Sequence, residues 1–488
     1  MDDFEDIENE FLGLSHQSKP NVLCENKNYP IEDYNMDSIV ETPQEYGVST
    51  PPRKTYSAVR TPRSHMKVGS TIKNILEHYG SKYKRPPINE VLSPDINILS
   101  NQNVKSYRYG GDKIVDMIDF ERENYEKFFD MVDGYKDDVI IGRIISNLDE
   151  PGRITDKSVS ILTRDEIVPL DFDEMQKISL FPGKIVIYKG IKELKKFKVT
   201  DEIEIEPLEH YKYTGIGNKN DLAFVIYASA GPYSLPDSCD FSPLYSLIDI
   251  AIKDKVSVLL LMGPFIGENQ FYDDDIDHNT YLEYLFKQIY NHINGTKLKI
   301  LIVPNVSGDV TCLPVYPTPP FNLNESFVKN VEDRILFLSD PSTFTINGVV
   351  FASTSADVLL HLSKSDFYRS DSAENENRVD RLTSYIFSQR SLYPIFPPID
   401  DFPFIQSRES MEKIKLNKIP HVIFIPSQLP QSIRLIKDCL CINIGKLLRN
   451  GFAKLSFNLL DANEETTLNP LQYAKAEFFE LEQDNEEQ

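Results

Sequence analysis

Long apolar runs in the second half of the chain limit most strictly what it can fold into. Residues 256–262 and 299–303 are apolar along almost their whole length, without alternation between apolar and polar positions. Strands of this kind are buried on both faces, so other layers must cover them. Segments with helical periodicity, such as residues 280–293, lie between such runs. The pattern predicts an α/β sandwich with helices outside, which places any ligand site at the ends of the central strands.

The ends of these runs carry none of the groups that a two-metal hydrolase needs. The two runs lead into Gly263-Pro264-Phe265 and Pro304-Asn305-Val306, and an earlier predicted strand, residues 222–227, is soon followed by Ser229-Ala230-Gly231. Carboxylate and imidazole groups are required at such ends, because deprotonated oxygen and nitrogen donors hold the paired cations that activate water. We therefore predict no catalytic residue, no metal ligand and no cofactor here.

A few other residues resemble metal ligands in type. Asp309 closely follows the third strand end, and four aspartates between positions 273 and 277 precede His278. Aspartates in such a polar loop commonly serve as helix caps and solvated surface, which is the interpretation we favour. His361 lies among leucines and His421 opens a strand without a partner motif, so we interpret both as structural. A residual metal-dependent phosphoesterase is the less favoured alternative.

The overall charge restricts the partners. The 488 residues include 75 acidic and 52 basic ones, for a net charge of −23. The averaged field repels a phosphate backbone, so we expect contact with DNA to be mainly indirect. No apolar run approaches the roughly 20 residues that span a bilayer, and the first residues are acidic where a secretory signal would be basic. We expect a cytosolic or nuclear protein without a membrane contact.

The cysteines do not form a metal-binding pattern. Cys439 and Cys441 are the one close pair, as C-x-C on a predicted strand, and no second Cys or His pair stands nearby in the sequence. We interpret them as reduced core thiols, because a tetrahedral zinc site needs four ligands.

The first 110 residues differ in composition from the rest. Residues 17–110 are rich in Pro, Ser, Thr and Asn, which bury too little apolar surface to offset chain entropy, so we predict a disordered linker. Before it, Phe4, Ile7, Phe11 and Leu14 recur at helical spacing among acidic residues. Residues 1–16 are predicted to be either a docking helix that folds in a partner's groove or a disordered acidic tail.

The predicted linker carries several Ser/Thr-Pro dipeptides. Thr50 stands in Thr-Pro-Pro-Arg, the pattern of a proline-directed, cell-cycle kinase, whereas Thr42, Thr61 and Ser93 have the minimal dipeptide. We predict phosphorylation at these positions, which would add charge that weakens or creates a contact.

A leading helix and a small barrel are predicted for residues 111–215. Apolar residues recur at helical spacing between positions 114 and 132, and five β-rich runs follow, separated by turn signals such as Phe181-Pro182-Gly183. About five strands in about a hundred residues favour a closed barrel of the OB type. Lysines at positions 192, 195, 196 and 198 are offset by acidic neighbours, so we favour a structural barrel over one that binds single strands.

The order of these segments and several sequence strings resemble the B subunit of DNA polymerase α–primase. The strings are Ser179-Leu180-Phe181-Pro182-Gly183, Ala230-Gly231-Pro232-Tyr233, Met262-Gly263-Pro264-Phe265, Val315-Tyr316-Pro317-Thr318-Pro319-Pro320-Phe321, Ser388-Gln389-Arg390-Ser391-Leu392-Tyr393-Pro394, Ile425-Pro426-Ser427-Gln428-Leu429 and Cys441-Ile442-Asn443-Ile444-Gly445-Lys446-Leu447. The resemblance implies an OB-type barrel joined to a calcineurin-like phosphoesterase sandwich without its metal ligands. We assign the sandwich to residues 216–470 and an acidic tail to residues 471–488.

The resemblance also implies a function. It implies a non-catalytic nuclear subunit that binds the C-terminal region of the polymerase catalytic chain and tethers it, with the primase subunits, where DNA replication and primer synthesis begin. The strings around Tyr316 and Arg390 favour polymerase α over the alternative, which is the B subunit of another replicative polymerase.

Two apolar, proline-stiffened loops are candidates for the partner interface. One contains Tyr316 and Phe321, and the other contains Tyr393. Proline lowers the cost of ordering such loops, which suits an interface. The alternative is that these loops pack against the chain's own sheet.

Overall fold

The structure is a computed structural model of the chain. It describes residues 66–68, 93–99, 112–129, 138–147, 154–215, 222–234, 240–265, 278–306, 309, 315–371, 377–460, 462 and 467–483. The predicted sites that lie outside these residues are Phe4, Ile7, Phe11, Leu14, Thr42, Thr50 and Thr61. No helix in the described ranges has the length and apolar character needed to cross a bilayer.

The described residues form 21 strands and nine helices. The strands are β1 (Met66–Val68), β2 (Ile96–Ile98), β3 (Val139–Ser146), β4 (Val159–Leu162), β5 (Ile167–Asp171), β6 (Lys177–Leu180), β7 (Ile185–Lys192), β8 (Phe197–Glu202), β9 (Ala223–Ala230), β10 (Val258–Met262), β11 (Lys299–Val303), β12 (Ile335–Phe337), β13 (Ser342–Ile346), β14 (Val349–Ser353), β15 (Phe367–Ser370), β16 (Val422–Phe424), β17 (Ser432–Ile436), β18 (Cys439–Asn443), β19 (Phe452–Asn458), β20 (Ala474–Phe479) and β21 (Leu481–Gln483). The helices are α1 (Ile114–Phe129), α2 (Ser242–Lys253), α3 (His278–His292), α4 (Glu325–Val331), α5 (Val358–Ser365), α6 (Arg378–Ser388), α7 (Arg408–Ile414), α8 (Leu447–Asn450) and α9 (Pro470–Tyr473).

Side-chain caps set the start of several helices. The Asn324 side chain accepts a hydrogen bond from the Ser326 N–H at the start of α4, at 2.9 Å. Asn377 does the same for the Val379 N–H at the start of α6, also at 2.9 Å. Each side chain satisfies a backbone donor that the helix itself cannot pair, which explains why these helices begin where they do.

The predicted helix and five-stranded barrel are present. Strands β3, β4, β5, β8 and β7, in that order, close a barrel within the described residues. Neighbouring strands are antiparallel, apart from the parallel pair β5 and β8. Ile144, Ile161 and Val199 fill its interior and are completely buried. The barrel is therefore packed with side chains and has no central channel.

Two sheets, each of six strands in the described residues, form the larger part of the molecule. The order is β12-β11-β10-β9-β19-β20 in the first sheet and β17-β18-β16-β14-β13-β2 in the second. In the first sheet, β9, β10, β11 and β12 are mutually parallel. Their C-terminal ends therefore meet at one edge, where the sequence predicts any ligand site to lie.

Two-sided burial accounts for the apolar runs. Residues such as Ala228 and Leu260 point between the two sheets and pack in one core with Phe351 and Val422 of the second sheet. Intervening residues such as Leu259 point outward and pack in a second core with α2 and α3. A third core covers the outer face of the second sheet with α5 and α6. The predicted α/β arrangement with helices outside is confirmed.

One predicted strand is wrong. The sequence pattern predicts a single strand over residues 345–351, but the structure has the antiparallel hairpin β13–β14 there. Asn347 and Gly348 form its turn, with φ angles of +49° and +75°. Positive φ at both central positions is what a two-residue hairpin turn needs, and Asn-Gly is its preferred sequence.

Parts of the predicted linker and of the predicted tail are strands. β2 pairs with β13 at the edge of the second sheet, β20 pairs with β19 at the edge of the first, and β1 pairs with β21. The predicted disorder over residues 17–110 and the predicted tail at residues 471–488 are therefore wrong at these strands. Three-residue strands have too few positions to show a periodicity, and β20 alternates buried Ala and Phe with charged residues that give it a polar composition.

Candidate functional site at the strand ends

The parallel strands bring three loops together at one edge of the first sheet. Met262, the last residue of β10, is level with Ala230 of β9 and with Val303 of β11. The next residues are Gly231, Gly263 and Pro304. A ligand for a metal ion would have to come from these positions or from the loops that follow them.

Asp309 occupies the space at this edge. Its Oδ1 accepts a hydrogen bond from the Phe265 N–H at 2.6 Å, and its Oδ2 accepts one from the Asn305 N–H at 2.9 Å. The residue is 1% exposed. A Cβ at Gly263 would lie 1.8 Å from Asp309 Oδ2, so the glycine is needed for this close approach. The carboxylate therefore joins the loops after β10 and β11 from inside.

Burial changes the protonation of Asp309. Removal from water raises its pKa to about 7, against the backbone N–H groups of Phe265 and Asn305, which lower it. The carboxyl group is therefore partly protonated near neutral pH. A metal ligand must be deprotonated, which makes this group a poorer ligand than an ordinary aspartate.

A second buried carboxylate, that of Asp340, lies after β12 at the same edge of the first sheet. The Asp340 carboxylate accepts hydrogen bonds from the Ser355 backbone N–H at 2.9 Å and from the Ser355 hydroxyl at 2.5 Å. The Asn305 side-chain amide donates to the Ser355 backbone oxygen at 2.9 Å. Burial raises the pKa of Asp340 to about 7, while its bonds with Ser355 oppose that rise. Asn305, Ser355 and Asp340 thus form a hydrogen-bonded chain between the two sheets.

Tyr233 covers the ends of β9 and β10. Its hydroxyl donates to the Ser229 backbone oxygen at 2.8 Å and lies 3.0 Å from the Met262 backbone oxygen. The side chain is completely buried and its ring packs against Phe265 at a centroid distance of 5.0 Å. Backbone oxygens that would otherwise face a cleft are therefore satisfied by the protein itself.

The remaining candidate ligands are also used inside the fold. His421 Nδ1 accepts from the Val350 N–H at 2.8 Å, and His361 Nδ1 lies 3.2 Å from the Tyr393 hydroxyl. Burial lowers the pKa of each imidazole to about 4. Cys439 and Cys441 are free, buried thiols on β18. Within the described ranges, no three His, Cys, Asp or Glu side chains come together in a group that could hold a metal ion.

The barrel is fixed to the sandwich through side chains of α6 and the residue that follows it. The Gln389 amide pairs with both backbone groups of Ile185, accepting from its N–H at 2.6 Å and donating to its oxygen at 3.1 Å. The Tyr385 hydroxyl donates to Asp366 at 2.8 Å and lies 2.6 Å from the Ser179 hydroxyl. β6 also pairs with β15 of the sandwich. We call this contact the barrel–sandwich junction.

Proteins from several eukaryotes have similar sequences. The sequence model of a family described as the B subunits of DNA polymerases alpha and epsilon matches residues 226–434. A Caenorhabditis elegans protein, named as the B subunit of DNA polymerase alpha, is 28% identical over 413 residues, which cover 78% of this chain and 69% of that protein. The Mus musculus protein of the same name is 32% identical over 322 residues, which cover 64% of this chain and 52% of that protein. Residues 226–434 and the longer aligned stretches are thus similar to B subunits of DNA polymerase alpha.

The matching proteins differ in the share of each chain that aligns. The Schizosaccharomyces pombe protein of the same name is 26% identical over 408 residues, which cover 78% of this chain and 68% of that protein. The chain spans about half the length of its mouse relative. The solved structure of TT1561 from Thermus thermophilus has a TM-score of 0.26 and 11% identity, and covers 52% of this chain and 98% of that one. A TM-score of 0.26 is too low to indicate a shared fold.

The predicted interface residues Tyr316, Phe321 and Tyr393 lie inside the fold. Tyr316 is completely buried, Tyr393 is 2% exposed and Phe321 is 5% exposed. Tyr316 and Tyr393 pack with their rings 5.7 Å apart beneath α5 and α6, whereas Phe321 packs in the core with α3. These residues therefore pack against other parts of the chain, which was the alternative interpretation of the sequence. Their role in partner binding stays a prediction. Ser93 is exposed just before β2, and its phosphorylation also stays a prediction.

Sequence reasoning missed Asp340 and Gln389. Asp340 follows β12, the fourth parallel strand, and its position at a strand end was the signal that could have identified it. Gln389 lies 204 positions from its partner Ile185, and nothing in the sequence links the two. The aspartates at positions 273–277 lie outside the described residues.

Proposed function

We propose that the chain is a non-catalytic accessory subunit of DNA polymerase alpha. The observation that carries the proposal is the filling of the strand ends by Asp309 and the Asn305–Ser355–Asp340 chain. Each of these polar groups has internal hydrogen-bond partners, and two-metal hydrolysis needs such groups to be deprotonated and turned toward paired cations. The similarity to proteins named as B subunits of DNA polymerase alpha supports membership in a polymerase complex.

The proposed task is to bind the C-terminal region of the polymerase catalytic chain and to hold it together with the primase subunits during initiation of replication and primer synthesis. The net charge of −23 is compatible with a basic protein surface as partner and disfavours direct binding of DNA. On the barrel, Lys192, Lys196 and Lys198 each reach a carboxylate, at 2.6, 2.5 and 2.7 Å. These ion pairs compete with phosphate groups, which supports a structural role for the barrel.

We assign the barrel of residues 111–215 to the OB type and the sandwich of residues 216–470 to an inactivated calcineurin-like phosphoesterase fold. The strand order β3-β4-β5-β8-β7 with one parallel closing pair supports the first assignment. Parallel strands that end at a single edge, with helices on the outer faces, support the second. A nuclear location follows from the proposed function.

Two proposals concern residues outside the described ranges and Ser93. The acidic N-terminal segment, with Phe4, Ile7, Phe11 and Leu14, is proposed to dock as a helix in a partner's groove. Deletion of this segment should weaken the affinity for at least one partner, and unchanged affinities for all partners would refute the docking proposal.

Phosphorylation is proposed at Thr42, Thr50, Thr61 and Ser93. Phosphopeptide mapping of cycling cells should find Thr50 modified, and a Thr50 that is always unmodified would refute the strongest of these sites.

Co-purification of the full-length tagged chain from cells tests the proposed function. We expect recovery of the polymerase alpha catalytic chain and both primase subunits in near-equal amounts. Truncation of the catalytic chain before its C-terminal region should remove all of these proteins together. Recovery of the chain alone, or with a different polymerase, would contradict the proposal.

A further inference from the structure

Three Asn-Gly dipeptides of the chain lie in turns that differ in their exposure to water. They are Asn294-Gly295 after α3, Asn347-Gly348 in the β13–β14 turn, and Asn450-Gly451 at the end of α8. Asparagine is among the thermolabile side chains, and a following glycine has no Cβ to shield its backbone nitrogen. The three dipeptides therefore share one chemistry, and their surroundings decide which of them reacts.

The reaction of such a dipeptide is deamidation, in which water is the co-reactant. The glycine backbone nitrogen gives its proton to hydroxide and attacks the asparagine Cγ, which closes a five-membered succinimide ring. The side-chain amide leaves as ammonia. Water then opens the ring at either of its carbonyl groups, so the product is aspartate or isoaspartate. One water enters and one ammonia leaves, no oxidant or reductant takes part, and the product carries one additional negative charge.

The turn after α3 leaves both reacting groups open to water. Asn294 and Gly295 are exposed, and a Cβ at Gly295 would have no neighbour within 4 Å. The Thr296 N–H and hydroxyl close the turn, since both donate to the Ile293 oxygen, at 3.1 and 2.7 Å. Among the described residues, neither the Asn294 side chain nor the Gly295 N–H has a hydrogen-bond partner. Hydroxide can therefore reach the glycine nitrogen, and the asparagine side chain can rotate onto it.

The β13–β14 turn holds its asparagine in place. Asn347 is 2% exposed. Its Oδ1 accepts a hydrogen bond from the Asp95 N–H at 2.8 Å, and its own N–H donates to the Asp95 oxygen at 2.8 Å. A Cβ at Gly348 would lie 2.8 Å from the Gly215 oxygen, so the chain that precedes the sandwich covers this glycine. Attack on the Asn347 Cγ therefore requires local opening of the contact with Asp95.

In the turn after α8, the nucleophile is held instead. The Gly451 N–H donates to the Leu447 oxygen at 2.9 Å, and Gly451 is buried. A Cβ at Gly451 would lie 1.8 Å from the Phe479 oxygen, because the end of β20 passes close to it. A buried, hydrogen-bonded N–H keeps its proton, so this dipeptide also reacts only after local opening.

We propose that Asn294 is a deamidation site of the folded chain, and that the fold protects the other two Asn-Gly dipeptides. This proposal is independent of the proposed function. Asn294 lies two residues after the end of α3, where the helix dipole places partial negative charge. A carboxylate is unfavourable at that end, and isoaspartate lengthens the main chain in a turn that leads toward β11. Deamidation therefore adds negative charge to a chain of net charge −23 and weakens the end of α3 as the molecule ages.

Peptide mapping of the full-length chain by mass spectrometry tests the proposal. The purified chain is incubated in mildly alkaline buffer, folded in one sample and unfolded in concentrated urea in the other. In urea, we expect similar rates at the three dipeptides. In the folded chain, Asn294 should keep its urea rate to within about threefold, whereas the other two should react at least about tenfold more slowly, because they react from locally open states. A folded-state rate at Asn294 as low as that at Asn347 would overturn the proposal, as would unprotected reaction at all three dipeptides.

Two variants keep the test specific to this turn. Gly295→Ala adds a Cβ beside the attacking nitrogen and should slow the reaction at Asn294 at least about tenfold. Equal rates at Asn294 in this variant and in the unmodified chain would contradict the proposal. Asn294→Gln replaces the reacting side chain with a longer one that forms the ring less readily. After ageing, the Tm of the unmodified chain should fall by about 1–2 °C and that of Asn294→Gln should not. An equal fall of Tm in both would contradict the effect on α3.

Discussion

The strand ends of the first sheet and the barrel–sandwich junction are held together by different kinds of buried polar side chain. At the strand ends, Asp309 and Asp340 are enclosed and their oxygens accept hydrogen bonds from nearby loops of the same chain. At the barrel–sandwich junction, the neutral Gln389 side chain bonds to both backbone groups of Ile185, which lies 204 positions away in the chain. Buried carboxylates therefore join the loops at the strand ends, whereas an uncharged amide joins the barrel to the sandwich.

The closed state of the strand ends depends most strongly on Gly263. Gly263→Ala would place a Cβ 1.8 Å from Asp309 Oδ2 and 2.8 Å from the Asn305 backbone nitrogen. We expect the free energy of unfolding to fall by about 4 kcal/mol or more, because the backbone on one side cannot give way. Urea unfolding of the purified variant measures this loss.

Gly295→Ala is the matched control, since a Cβ there has no neighbour within 4 Å and the positive φ of +79° is its one source of strain. We expect a loss of about 1 kcal/mol in this control. Similar losses of unfolding free energy in Gly263→Ala and Gly295→Ala would show that the strand ends are loosely packed, which would contradict this account.

The junction depends on a side chain that replaces a strand partner. Gln389→Leu removes both hydrogen bonds with the Ile185 backbone and leaves its N–H and oxygen buried. We expect the free energy of unfolding to fall by about 2 kcal/mol. Gln428→Leu, at an exposed position, serves as the control and should change it by less than about 0.5 kcal/mol. An unaffected Gln389→Leu variant would mean that the pairing of β6 with β15 and the contact between Ser179 and Tyr385 hold the barrel without Gln389.

Asp309 and two buried histidines respond to pH in opposite directions. Asp309 has a pKa of about 7 when folded against 3.8 in its reference state, so between pH 4 and 7 the folded chain keeps a proton that the unfolded chain loses. Its contribution to stability therefore falls as pH rises through this window, by about 1.4 kcal/mol for each pH unit. His361 and His421, with pKa values lowered to about 4, act in the opposite direction up to about pH 6.5.

Comparison with Asp309→Asn isolates this contribution. Relative to the unmodified chain, the free energy of unfolding of the variant should rise by about 1.4 kcal/mol for each pH unit from pH 4 to 7. Urea unfolding at several pH values measures the difference between the two slopes. Parallel curves would show that Asp309 stays ionised throughout the window.

The smallest effect is expected for the lysines on the barrel. Lys192→Gln breaks an exposed ion pair with Glu166, and Lys196→Gln breaks the pair between an exposed lysine and the less exposed Asp171. We expect no measurable change in Tm and no change in single-stranded DNA binding, since exposed ion pairs contribute little. A steep salt dependence of DNA binding that these variants reduce would restore the strand-binding barrel as an alternative.

The central fold could be predicted because burial on both faces leaves a clear trace in the sequence. β10 and β11 are apolar at nearly every position, and the structure places them within two residues of the predicted bounds. The Asn347-Gly348 turn also had a recognisable sequence signal, which the prediction of one continuous strand overlooked. The β13–β14 hairpin could therefore have been predicted from the sequence.

Other features could not be predicted, because distant residues complete them. β2 is stable as an edge strand only because β13, some 250 positions away, supplies its hydrogen bonds. The residue types that follow the strand ends could be read from the sequence, but the loop path that brings Asp309 against Gly263 could not. The cavity between α1, the barrel and the sandwich likewise combines residues from three parts of the chain, which have no common sequence pattern.

A manganese titration of the purified full-length chain tests most directly whether the strand ends are a filled part of the fold. Thermal denaturation is followed as Mn²⁺ is increased, with Asp309→Asn as a parallel sample and a phosphoester substrate to detect turnover. Our account predicts an unchanged Tm at all metal concentrations and no metal-dependent hydrolysis. A Tm that rises with Mn²⁺, together with hydrolysis that Asp309→Asn abolishes, would contradict it and identify this edge as a metal site.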